Sequence, residues 1–485
     1  MTPVIAFVGI SVALIVGKLL RMAMPFLRRY FIPASILGGL FAMLLGPEVW
    51  GRLDAGREAG LFGQEVFDLW RSLPGFLINV VFAALFLGKA IPGIKEIWRR
   101  AGPQVAFGQS IAWGQYVVGI GVTMAILVPF FGVPPMFGAL LEIGFEGGHG
   151  TAAGLGPTFV EVGWEEGQDL ALGVATVGVV MGVVLGMILV NWAIRGGHTK
   201  IVTSSGRASK VQAEAAKADE AIEDRERLES GLPDEASTKT GKDAKKTKAT
   251  ALESVEPLAF HMAYIGAAIG VGWLILQVLV WVETVTLMRW GAPELLGHLP
   301  LFPLAMIGGI VVQKLRDRLV PILALDRQMI SKIQGMALDF LIVSAMATLT
   351  LSALAANWQP LLILILAGLI WNVAAFLILA KRMIPSFWFE RGIGDFGQSL
   401  GMTATGLLLM RVVDPDRETP AFDAFGYKQL LFEPFVGGGL VTAISVPLIV
   451  AFGPWPLFIV SSVLLVGCLC LGLLVFGRAK PTGSG

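Results

Sequence analysis

Cysteine, histidine and tyrosine are all scarce in this chain, at two, four and four residues of 485. The two cysteines, Cys468 and Cys470, stand in one apolar run, so neither a disulfide framework nor a thiolate metal site is indicated. Charge is thin as well. Asp, Glu, Lys and Arg make up 15% of the residues, where a soluble globule carries about a quarter. Hydrophobic residues reach 55% and the mean hydropathy is +0.73. These values exclude a soluble globule and point to an integral, all-helical membrane protein.

Enzyme motifs lack their surroundings. "GQSLG" (Gly397 to Gly401) fits the spacing of a nucleophile elbow, but that motif needs a preceding strand and a later histidine. His149, His198, His261 and His298 all lie upstream of Ser399. Glu146 and His149 have the Glu-x-x-His spacing of half a carboxylate-bridged metal site, and no second copy exists. "GHGTAAG" resembles a phosphate loop without its strand or its Lys. The chain therefore reads as a non-enzyme without a cofactor. Nucleic-acid binding has no support either, because the basic residues follow membrane topology. The apolar run Val4 to Leu20 lacks a basic n-region and a cleavage site, so it is expected to stay as a span.

What the chain does have is long apolar runs. A bilayer core takes about 20 apolar residues per helix. Spans are expected near 4–22, 31–47, 73–92, 104–131, 169–193, 258–282, 299–314, 335–354, 360–380, 430–452 and 456–476. Two glycine-rich apolar segments remain, roughly 134–160 and 385–411. Read as re-entrant hairpins, they leave 33 of the 37 Lys and Arg residues on one side. The positive-inside rule then puts the N-terminus outside and the C-terminus in the cytoplasm. Between 196 and 257 the composition turns to Lys, Glu, Ala, Ser and Thr, which reads as a charged cytoplasmic linker.

The two sides of that linker echo each other. "PASILGGL" (Pro33 to Leu40) matches "PLAMIGGI" (Pro303 to Ile310), and "GTAAG" (Gly150 to Gly154) matches "GMTATG" (Gly401 to Gly406) with one insertion. Each half reads as five spans plus one hairpin, covering 1–195 and 258–452, with 453–485 as an extra C-terminal helix and tail. Five crossings are odd, so the halves are expected to be related by inversion. Inverted repeats with broken helices mark secondary transporters, whose site forms where the repeats meet.

In hydrocarbon an unpaired amide costs several kcal/mol, so broken helix at that depth predicts a cavity. Tip amides suit an anion; free carbonyls and the hydroxyls of Thr151, Ser399, Thr403 and Thr405 suit a small hard cation. Asp395, Glu146 and His149 lie nearer the glycine tips than Glu142, Glu390, Arg391 and Arg411. Asn79 and Asn372 are mid-span amides, read first as helix-to-helix ties.

The stretches "PFLRRYFIPASILGGL", "GGHGTAAG", "LPLFPLAMIGGIVVQ" and "LGMTATG" together resemble the sodium/glutamate symporter family, over both halves from about residue 4 to 452. The second hairpin departs from the family pattern at Asp395, Gln398, Ser399, Met402, Ala404 and Gly406. The resemblance implies Na⁺-coupled uptake of an acidic amino acid, glutamate first, across a bacterial inner membrane by an elevator-type homodimer. On this reading the substrate meets Gly148, His149, Gly150, Thr151, Gly401, Thr403 and Thr405, aided by Arg391 and Arg411. Sodium meets Asp395, Ser399, Thr403 and Asn372. The alternatives are a proton- or sodium-coupled carrier of another small organic anion and a cation/proton exchanger.

Overall fold

The computed structural model describes residues 1–25, 27, 32–53, 60–89, 91–199, 256–286, 288–291, 293–319 and 325–477. The linker expected at 196–257 falls outside them from 200 to 255, as does the tail from 478.

Regular structure among the described residues is helical throughout. The first half holds α1 (Thr2–Ala23), α2 (Ala34–Leu44), α3 (Gln64–Ala83), α4 (Ile94–Val122), α5 (Leu140–Phe145), α6 (Gly148–Gly154), α7 (Gly156–Glu161) and α8 (Gly167–Arg195). The second holds α9 (Pro257–Val285), α10 (Phe302–Leu319), α11 (Arg327–Ala347), α12 (Leu351–Ala356), α13 (Trp358–Ala375), α14 (Trp388–Gln398), α15 (Thr403–Val413), α16 (Ala421–Phe432), α17 (Leu440–Phe452) and α18 (Pro454–Cys470). A π turn continues α4 from Thr123 to Leu127 and α13 from Phe376 to Ala380.

Eight helices among the described residues, α1, α3, α4, α8, α9, α11, α13 and α18, are long and apolar enough to cross a membrane. The chain is thus an all-α polytopic membrane protein. In α1 the buried residues Ala6, Gly9, Ile10, Ala13 and Gly17 recur every three or four positions, which is one helix face. Val4, Phe7, Val8 and Ile15 point outward, where lipid would cover them.

Five expected spans differ, those near 73–92 and 335–354 lying earlier in the chain as α3 and α11. Helix α2 has 11 residues, about 16 Å of rise against a core of about 30 Å. Helix α10 runs 18 residues but ends in Lys314, Arg316, Asp317 and Arg318. The span expected over 430–452 breaks into α16 and α17. Between them lie Pro434 and Gly437 to Gly439, with Gly437 at φ +69° and Gly438 at φ +99°, angles that side chains disfavour.

The paired glycines of the two matching motifs do matching work. A Cβ on Gly38 would overlap the Ala13 carbonyl of α1, and one on Gly308 would overlap the Ala268 carbonyl of α9. A Cβ on Gly39 would overlap Met346 of α11, and one on Gly309 would come 2.5 Å from the Ala83 carbonyl of α3. In each half, then, the first glycine seats the preceding helix and the second seats the third helix of the other half. Backbones approach this closely only without side chains.

Candidate functional site

After α4, a 3₁₀ turn at Pro135–Ala139 opens a segment that runs through α5, α6 and α7 to Trp164. Its two ends meet, with the rings of Phe137 and Trp164 6.2 Å apart. Between them the helix breaks after Phe145. The amides of Glu146 and Gly147 both bond to the Glu142 carbonyl, at 3.0 and 2.9 Å, and Gly148 takes φ +67° to start α6. The second break lies between α14 and α15. The Ser399 amide closes on the Asp395 carbonyl at 2.9 Å, and extended backbone at Met402 (φ −174°) restarts the chain as α15. Gly394, Gly397 and Gly406 let α14 and α15 lie against each other, Gly397 facing the Gly406 backbone.

The two breaks touch. A Cβ on Gly148 would overlap the carbonyl oxygen of Gly401. Both rest on α8, where Gly178 faces the Leu400 carbonyl and Gly182 faces the Leu400 and Thr405 side chains, one turn on. Gly401 in turn packs on Val179. Small residues at two successive turns of α8 thus admit both breaks to one junction.

A third irregular stretch joins them. Gly438 lies against the Thr151 hydroxyl, and the Gly437 amide donates to Glu142 Oε1 at 2.9 Å. The Thr442 hydroxyl donates to the same oxygen at 2.8 Å, and the Tyr116 hydroxyl donates to Oε2 at 2.7 Å. Glu142 is fully buried. With three donors both carboxyl oxygens are satisfied, and Glu142 ties α4, α5 and the start of α17 together.

The second break carries a buried ion pair. Lys428 on α16 and Asp395 on α14 are both at 0% exposure, with Nζ 3.0 Å from Oδ1. Lys428 also donates to Gln398 Oε1 at 2.9 Å and lies 3.7 Å from the Phe432 ring centroid. Gly108 on α4 leaves the room its stem needs, since a Cβ there would meet Cε at 2.6 Å.

The expected site residues divide into two groups. Gly148, His149, Gly150, Thr151, Ser399, Gly401, Thr403 and Thr405 are on or beside the joined breaks. His149 is buried, with Nε2 3.0 Å from Thr176 Oγ1. Thr176 gives its own proton to the Leu172 carbonyl, so His149 Nε2 is the donor there and Nδ1 is left as a bare acceptor. Arg391 and Arg411 are elsewhere. They sit eight residues from Ser399 and from Thr403, about 12 Å along their helices. Arg391 Nε donates to Gln104 Oε1 at 3.3 Å, and the Gln104 amide returns a bond to the Arg391 carbonyl. Asn372 serves as a tie: its amide donates to Gly368, and its Oδ1 accepts from Gln115, which also donates to the Ser399 carbonyl at 2.8 Å. Asn79 bonds back to Gly75 on its own helix.

Sequence reasoning missed Lys428, Tyr116, Thr442 and the Gly437 loop. The signals were present. Lys428 is a lone cation among aromatics in "AFGYKQLLF", and "GGG" interrupts a run otherwise read as one span. Lys428 is one of the 33 basic residues expected on the cytoplasmic side, yet its ammonium is fully buried.

Comparison with known proteins agrees in part of the chain. Residues 2–230 match the model of a family described as sodium/glutamate symporter. The sodium/glutamate symporters of Escherichia coli (strain K12) and Shigella flexneri are each 29% identical over 195 residues, covering 40% of this chain and 45% of theirs. The chain thus matches under half the length of these relatives. No solved structure gives a significant match.

Proposed function

Because this chain is related to the sodium/glutamate symporters through its first half, we propose that it is a sodium-coupled symporter of an acidic amino acid, glutamate first. The observation that carries this reading is the contact of Gly148 with the Gly401 carbonyl, two helix breaks from opposite halves of the chain meeting on α8. The halves are inverted repeats, a reading that the matched glycine contacts support. Segments 134–160 and 385–411 are re-entrant, the first from outside and the second from the cytoplasm.

At the junction, the amides of Gly148 to Thr151 and the N-terminal turn of α15 from Thr403 take the substrate carboxylates, with Gly401, Thr405 and His149 around them. Bare amides in a dry junction bind an anion strongly because water does not compete. Arg391 and Arg411 act from a distance, by raising the potential along the second hairpin. Sodium binds among the oxygens of the second tip, where the Ser399 and Thr403 hydroxyls are ligands and Asp395 and Asn372 shape the site. Closing and reopening this junction moves substrate and ion together, in an elevator-like displacement within a homodimer of the bacterial inner membrane. The N-terminus is outside and the C-terminus is in the cytoplasm.

Membrane voltage sets the coupling. One charge crossing 100 mV is worth about 2.3 kcal/mol. A substrate of charge minus one entering with a single Na⁺ is electroneutral and gains nothing from that voltage, so uptake that draws on the voltage takes two or more Na⁺. Labelled-glutamate uptake into proteoliposomes, with and without an inward Na⁺ gradient, tests the reading. Gradient-driven accumulation is expected. Uptake that follows a pH gradient and ignores Na⁺ would replace it with a proton-coupled carrier.

A further inference from the structure

Three carboxylates are buried at the junction, and the chain neutralises them unequally. Glu142 has its three donors. Asp395 faces the Lys428 ammonium at 3.0 Å, an ion pair more than a directed hydrogen bond. Glu146, at 4% exposure, makes no well-formed hydrogen bond on either oxygen among the described residues. The charges around it are Lys428 on α16, Asp395 on α14 and Glu142 on its own segment. The single ammonium is already held against Asp395 and Gln398. A lone buried carboxylate left in this condition costs several kcal/mol.

A second group points the same way. Ser399 Oγ, fully buried at the opposite break, likewise makes no well-formed hydrogen bond among the described residues, and it neighbours the Glu146 carboxylate, each lying two residues from the Gly148–Gly401 contact. Two carboxylate oxygens and a hydroxyl, facing each other across a dry junction, match the oxygen ligation of a hard cation. We infer that Glu146 and Ser399 form a Na⁺ site bridging the two helix breaks, while Lys428 acts as a tethered cation that keeps Asp395 from competing for the ion. This inference rests on the sodium-coupled reading above and names the ligands in it. It also gives coupling a physical form. Glu146 belongs to the first break and Ser399 to the second, so an ion held by both ties the two tips together and is released when they part.

The test measures the ion without the amino acid. Purified full-length protein in detergent is assayed for ²²Na⁺ binding by scintillation proximity, beside Glu146→Gln and Ser399→Ala. Wild type should bind ²²Na⁺ displaceable by Na⁺ and not by K⁺. E146Q should bind it roughly tenfold or more weaker, and S399A several-fold weaker. Thermal unfolding shows whether E146Q folds. In Na⁺-free buffer it should melt at or above wild type, since an unpaired charge has gone, and added Na⁺ should stabilise wild type alone. Wild-type affinity in E146Q, or no ²²Na⁺ binding by wild type, overturns the site. So would a folded E146Q that loses only the pH dependence of uptake, which would mean that Glu146 carries a proton. Wild type that binds ²²Na⁺ through Glu146 yet does not take up glutamate keeps the site and removes the glutamate reading.

Discussion

Replacing Lys428 by Met removes an ammonium at 0% exposure from 3.0 Å beside Asp395, at nearly constant side-chain length. Lys428 is clamped by Gln398 at 2.9 Å and by the Phe432 ring at 3.7 Å, so no water takes its place at once. The buried carboxylate left behind loses its ammonium and keeps only Gln104 and the Arg391 charge one turn away, and removal of one partner of such a pair costs about 3–5 kcal/mol. Asp395→Asn leaves the opposite charge stranded and should cost a similar amount. With both replaced, neither member of this pair is left facing an empty partner, and the double variant should lose less than the two single losses combined, a coupling on the order of 2 kcal/mol or more. The 13 tryptophans allow unfolding of purified full-length protein to be followed by intrinsic fluorescence, comparing wild type, K428M, D395N and K428M/D395N. Recovery in the double variant is the expected result. Simple additivity of the two single losses would refute the ion pair, and with it the claim that Lys428 neutralises Asp395.

Three further outcomes follow from the same geometry. Gly148→Ala should insert in the membrane but abolish uptake, because Gly148 has φ +67° and its Cβ would strike the Gly401 carbonyl; Gly150→Ala should stay within a few-fold of wild type, since its Cβ would meet the side-chain ends of Leu338 at 3.3 Å and Ile78 at 3.8 Å. Equal losses in the two would mean that the breaks do not meet in this way. Tyr116→Phe deletes the hydroxyl that donates to Glu142 Oε2 and should destabilise the protein by about 1–3 kcal/mol in the same unfolding assay; an unchanged melting curve would mean that Glu142 is satisfied by other groups. Glutamate added to proteoliposomes holding an inward Na⁺ gradient should drive inward positive current, and uptake with no net current would rule out two or more Na⁺ per substrate.

Much of this was legible in the sequence because the bilayer leaves few options. Apolar length alone located α1, α4, α8, α9, α13 and α18, and helix-breaking composition located Gly147 to Gly150 and Ser399 to Met402. Where length and burial parted company, the reading slipped. Helix α2 is too short to cross alone, and "EPFVGGG" interrupts what hydropathy averages into one span, because a window of mean hydropathy does not register φ +69° and φ +99° at two neighbouring glycines. Arg391 and Arg411 were enlisted as aids to the substrate carboxylates, whereas helix rise places them about 12 Å from the tips.

Hydrocarbon demands that every backbone amide be paired, so the amino-acid order by itself determined that the chain is helical, where the helices break, and which glycines allow close approach. Which charges neutralise which was decided only in three dimensions. Lys428 and Asp395 are 33 positions apart, and Glu142 is satisfied from positions 116, 437 and 442. A carboxylate's partner is set by the folding of distant helices onto one another, and no local pattern around Glu146 records that its own partner is missing.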